Sequence, residues 1–138
     1  MKRLSLSLLL TSILTLAACT SPTGPTIDTG AAKDVVDTYM KLTLGSIPGA
    51  SIDYDAAREL MTPEFAAEFT TPMFIPATYC IQDGPEDVRV TSVTFDEEMN
   101  WAEATVVGAY HGGWQDMWKF TVVPVEGDDW MINAIECI

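Results

Sequence analysis

Apolar positions recur at the three-and-four spacing of a helix over residues 31–44, where Ala32, Val35, Val36, Tyr39, Met40 and Thr43 share one face. Gly45, Pro48 and Gly49 end that run. A second helix is predicted over 53–61, with Asp53 as its cap and Tyr54, Ala57, Leu60 and Met61 inward. Thr62-Pro63 then reads as an N-cap followed by proline at the first helical position. It opens a short third helix with Phe65 and Phe69 on one side.

Beyond residue 70 the pattern changes. Pro72, Pro76, Gly84 and Pro85 interrupt an irregular stretch in which one short edge strand is expected around 77–81. Residues 88–95 alternate as a strand whose inward set changes phase, Val88 and Val90 and then Val93 and Phe95, which predicts a bulge near Ser92. After a turn over 96–100, Ala102, Ala104, Val106 and Tyr110 alternate on the next strand, and His111-Gly112-Gly113 supplies a tight turn. Trp118, Phe120 and Val122 share a face of a long strand over 114–125, ended by Pro124 and a turn over 126–129. In the last strand, 130–138, Trp130 and Ile132 share a face, and an extra residue near Asn133 would return Ile135 and Cys137 to it. Helices first and an antiparallel meander after predict an α+β fold, with N-terminal helices packed on a curved antiparallel sheet.

The start of the chain follows a different logic. Lys2 and Arg3 precede an apolar, hydroxyl-rich run from Leu4 to Leu16, closed by the small residues Ala17 and Ala18. The run falls short of the roughly 20 apolar residues that span a bilayer, so cleavage is the better reading. Leu16-Ala17-Ala18-Cys19 resembles the lipobox of bacterial lipoproteins, in which cleavage falls just ahead of the cysteine. That resemblance implies a diacylglyceryl thioether on Cys19 and usually a third, palmitate-type chain on its amine. At about 0.8 kcal/mol per buried CH₂, two or three chains anchor a protein where one binds marginally. The alternatives are an ordinary cleaved signal peptide with an incidental cysteine, or a buried apolar helix. Thr20, rather than Asp, follows the cysteine, and by the same resemblance this permits the outer membrane in a two-membrane bacterium. The chain thus divides into a signal peptide (1–18), a lipidated cysteine with a Pro-, Gly- and Thr-rich tether (19–30), and one folded domain (31–138). The expected location is the cell envelope, after export.

Charge narrows the partners. The formal net charge is −13, and loss of Lys2 and Arg3 leaves five of the seven basic residues against 20 acidic ones. Such a surface repels phosphate, so nucleic acid is not an expected partner, and acyl chains rather than basic residues must supply membrane attachment. The acids lack the spacing of a calcium loop, and no metal or other cofactor is expected. With Cys19 lipidated, Cys80 and Cys137 form an even pair in an exported chain, and a disulfide between them is expected. It would close a loop of about 58 residues and contribute roughly 4 kcal/mol. Two free buried thiols are the alternative.

The closing pattern Gly127, Trp130, Ile132 and Ile135, together with the order of elements, resembles the NTF2-like superfamily of cystatin-like α+β cones. Similar lipoproteins also carry a Cys-x-Gln-Asp-x-Pro segment, present here as Cys80, Gln82, Asp83 and Pro85. The resemblance implies three helices on a bent sheet that forms an open-mouthed cone. Enzymes of the superfamily need an Asp or His base beside an oxyanion donor, and no such set can be matched here residue by residue, so no catalytic residue is assigned. His111 adjoins turn glycines, and Asp116 is expected among Trp114 and Trp118 on one strand face. Trp118 and Trp130 are expected in the core, whereas Trp101 and Trp114 adjoin turns. Trp101, His111, Trp114 and Asp116 are therefore the candidate ligand or partner surface. The expected role is a noncatalytic binding or accessory module that engages an envelope protein or small ligand. A small enzyme with a base in the cone pocket, and a purely structural or assembly lipoprotein, are the competing readings.

Overall fold

The computed structural model describes residues 27–69, 84–126 and 129–138. The expected signal peptide, Cys19, the expected edge strand at 77–81 and Cys80 lie outside them.

Helix α1 spans Thr29–Thr43 and buries one stripe, Ala32, Val36, Tyr39, Met40 and Thr43. It starts two residues ahead of the expected position because Asp28, not a later residue, is its cap: the carboxylate accepts from Gly30 N at 2.8 Å. Helix α2, Tyr54–Glu59, is capped as expected by Asp53, whose Oδ1 accepts from Ala56 N at 3.0 Å. It ends before Leu60 and Met61, which were expected to be helical. Ile132 N donates to Leu60 O and Thr62 N donates to Ile132 O, both at 2.8 Å, so this segment pairs with the last strand instead of continuing the helix. Met61 is buried all the same. Helix α3, Pro63–Ala67, opens on Thr62, which accepts from Phe65 N, and its Phe65 meets Phe69 edge to face at 5.3 Å. Arg58 of α2 donates to Ala66 O and Phe69 O at 3.0 and 2.6 Å, placing a cation on the carbonyl end of α3.

Strands β1 (Asp87–Asp96), β2 (Trp101–Ala109), β3 (Gln115–Pro124) and β4 (Trp130–Cys137) form one antiparallel sheet in the order β1-β2-β3-β4. Both expected phase changes are bulges. Val90 faces Val106 and Ser92 faces Thr105, leaving Thr91 as the extra residue, and its hydroxyl donates to Thr105 O. Val122 faces Ile132 and Thr121 faces Ala134, leaving Asn133 extra. The Asn133 side chain meets the Thr62 hydroxyl at 3.1 Å. At the β1–β2 turn Asp96 accepts from the amides of Glu98 and Met99, and Asn100 takes a positive φ of 55°.

Helices and sheet share one core. Trp118, Phe120 and Val122 of β3 are fully buried beside Ala102, Ala104 and Val106 of β2 and Ile132 of β4. Tyr39 of α1 meets Phe120 edge to face at 5.7 Å, and Phe95 meets Trp130 at 6.1 Å. The α+β class is thus present, as helices on one face of a four-stranded antiparallel sheet. Cys137 departs from expectation: it faces Trp118 in register, yet it is exposed, because it is the last residue of an edge strand.

Gly108 sets how closely Trp118 can approach β2. A β-carbon there would lie 2.6 and 2.7 Å from Trp118 Cη2 and Cζ3 and 3.3 Å from Pro85 Cβ. The indole cannot yield, since it is fully buried in the core. Gly108→Ala should therefore destabilise the domain by about 1–3 kcal/mol. Urea unfolding is the check: the midpoint should fall with the slope unchanged, and an unaltered midpoint would contradict the packing described.

Candidate functional site

The antiparallel register sorts the candidate residues by the end of the sheet at which they lie. Asp96 pairs with Trp101 and Pro124 with Trp130 at one end, while Asp87 pairs with Ala109 and Ala109 with Gln115 at the other. Trp101 begins β2, and His111, Trp114 and Asp116 follow its far end. At about 3.3 Å per residue the length of β2 separates them by roughly 27 Å. The structure therefore groups His111, Trp114 and Asp116 but not Trp101. Trp101 is also half-buried where exposure was expected. It occupies the alternate phase to buried Ala102, so it lies on the sheet face turned away from the helices.

The β2–β3 end is built by glycine. Gly112 and Gly113 take φ of +93° and +86°, Gly113 N donates to Tyr110 O at 3.1 Å, and Tyr110 N donates to Trp114 O at 2.9 Å. This turn holds Trp114 at 78% exposure. The His111 imidazole lies 3.2 Å from Glu86 Oε1, and the two side chains are 95% and 64% exposed. That contact is solvated and weak, and the partner of His111 is Glu86 rather than Asp116. Asp116 is half-buried opposite Gly108, while Trp114 precedes the strand. The expected common face of Trp114, Asp116 and Trp118 is therefore broken at Trp114. Trp118 and Trp130 lie in the core.

The exposed apolar residues at this end of the sheet were not singled out from the sequence. Val107 faces Met117 across β2 and β3, and Ile138 N donates to Met117 O at 3.0 Å, so three apolar residues cross the outer face in one row. Met117 is 42% and Ile138 60% exposed. The available signal was the strand phase: Val107 and Met117 are apolar at positions that alternate with the buried ones.

The middle of the outer face is charged. Lys119 on β3 reaches Glu103 on β2 at 3.4 Å and Glu136 on β4 at 3.3 Å. Its pKa is raised above the ordinary lysine value, first by the hydrogen bond to Glu136 and next by the charge of Glu103. At the opposite end of the sheet from Trp114, the first turns of α1, the end of α2 and the start of β4 enclose an open groove of about 490 Å³. Ala31, Val35, Leu60 and Trp130 contribute its apolar lining, and Asp34, Glu59 and Asp129 its carboxylates.

Among the described residues no three His, Cys, Asp or Glu side chains are grouped to hold a metal ion, and no helix is long and apolar enough to cross a membrane. Comparison with known proteins adds no identity: no family model matches the chain, no curated protein matches it, and no solved structure matches it.

The raised pKa of Lys119 has a signed consequence. Its ion pairs stabilise the fold fully below the free-lysine value of about 10.4 and are lost as pH rises through the higher folded-state value. The thermal midpoints of the native chain and of Lys119→Met should differ at neutral pH and converge above that value. A difference independent of pH would refute the assignment.

Proposed function

We propose that this chain is an exported lipoprotein, anchored to the cell envelope by acyl chains on Cys19, whose NTF2-like domain is a noncatalytic binding or accessory module. Its contact surface is the β2–β3 end of the sheet. One observation carries this reading: Trp114 is 78% exposed on a hairpin held by two positive-φ glycines, at the same end of the sheet as the exposed Met117 and Ile138. A tryptophan buries roughly 150–250 Å² when covered, and at about 25 cal/mol per Å² this is worth several kcal/mol before ordering costs. Such residues anchor interfaces. His111 and Glu86 then supply a polar rim.

The direction of the chain supports the same surface. The tether enters at Thr29, and Ala31 and Val35 line one groove with Val125, Asp129 and Trp130, at the end of the sheet opposite Trp114. A domain tethered there presents Trp114 away from the lipid. The helix-on-sheet arrangement is compatible with a cone, which is the finer reading we propose for it. We also assign Cys80 as the partner of Cys137, since the lipid occupies the remaining cysteine, Cys19.

Two experiments test these assignments. In fractionated cells Cys19→Ser should move the protein from the membrane to the soluble fraction, and continued membrane association would refute the lipid anchor. A photo-crosslinking amino acid at position 114 in intact cells should give a discrete adduct, while the same probe at position 101 gives none. Adducts from position 101 alone would overturn the choice of surface.

A further inference from the structure

The groove between α1 and the start of β4 belongs to neither the hairpin surface nor the core. We propose that it is a docking site for a basic, apolar-flanked segment of a partner polypeptide, with a lysine side chain as the inserted group. The volume, about 490 Å³, lies within the roughly 300–1,000 Å³ of ligand sites and exceeds what a bare ammonium ion would need. Its floor is apolar, with Val35 and Leu60 available to the methylene stem of a lysine or to a flanking leucine.

Charge decides the sign of the occupant. Asp34, Glu59 and Asp129 sit around this floor, and among the described residues none of them makes a direct ion pair: Lys33 feels the charge of Asp34 but bonds to Asp37. With 20 acidic residues against seven basic ones over the whole chain, an anionic occupant would be repelled and a cationic one drawn in. A polypeptide is favoured over a small amine because the carboxylates come from three separate elements, α1, α2 and the approach to β4, so a segment bearing several groups can engage them together.

The test is a methyl NMR titration of the whole lipidated chain in a nonionic detergent. The probe is the peptide acetyl-Leu-Lys-Leu-Lys-Leu-amide, compared with its Glu-for-Lys counterpart and with hexylammonium. The lysine peptide should shift the Val35, Leu60 and Met131 signals saturably, and the glutamate peptide should not. Asp34→Asn combined with Glu59→Gln should weaken the lysine peptide at least about tenfold, which is about 1.4 kcal/mol. Should that double variant fail to fold, salt gives the second reading, because binding to the native chain must weaken between about 50 and about 300 mM sodium chloride. Unmoved groove signals, equal binding of the glutamate peptide, or salt-independent binding would overturn the proposal. Hexylammonium binding as tightly as the lysine peptide would overturn the polypeptide as occupant. Neither result bears on the Trp114 surface, which lies at the other end of the sheet.

Discussion

Burial of Trp118, Phe120 and Val122 on one face of β3 is the constraint to which the other elements answer. A strand has two faces, so these side chains are dry only if a second layer covers them. The stripe of α1 supplies that layer, with Tyr39 set edge-on against Phe120. Trp118 imposes the tightest condition, because it lies where a β-carbon on residue 108 would have to be, and glycine is the residue that leaves the space. Neighbouring strands must also keep their apolar side chains in the same phase as β3. The extra residues Thr91 and Asn133 do so, letting Phe95 and Ile135 reach the core where an unbroken alternation would turn them outward.

The bulge at Asn133 also joins layers. Its side chain meets the cap of α3, while the neighbouring Ile132 exchanges backbone hydrogen bonds with Leu60 and Thr62. The edge of β4 is thereby partly covered by the link between α2 and α3, which limits its use as a template for another strand. This link explains why α2 is only six residues long. The backbone groups that would have continued the helix bond to β4 instead.

The outer face of the sheet divides along its length. Its middle is charged, with Lys119 between Glu103 and Glu136, and the end nearer the Trp114 hairpin carries the apolar row Val107, Met117 and Ile138. The helix side has its own opening at the opposite end, the acidic groove beside the first turns of α1. Two surfaces of different chemistry therefore sit at opposite ends of β2 and β3, one near the start of α1 and one far from it.

Local chemistry made much of this fold legible in the sequence. The cap-and-proline pair Thr62-Pro63, the cap at Asp53, the glycine turn after His111 and the two phase changes are written in neighbouring residues, because caps, turns and bulges are short-range devices. The buried set of β3 was equally plain from its alternation. What the sequence could not determine depended on residues far apart along the chain. Leu60 and Met61 carry a helical pattern, but Ile132 claims the backbone of Leu60 and Thr62 on either side of Met61, and that competition is invisible within either segment. Likewise Trp101 and Trp114 look equivalent as tryptophans beside turns, and only the antiparallel register places them at opposite ends of one strand, one half-buried and one in water. The groove is the same kind of feature. Asp34, Glu59 and Asp129 share no motif, and packing of α1 beside the start of β4 is what brings them to one opening.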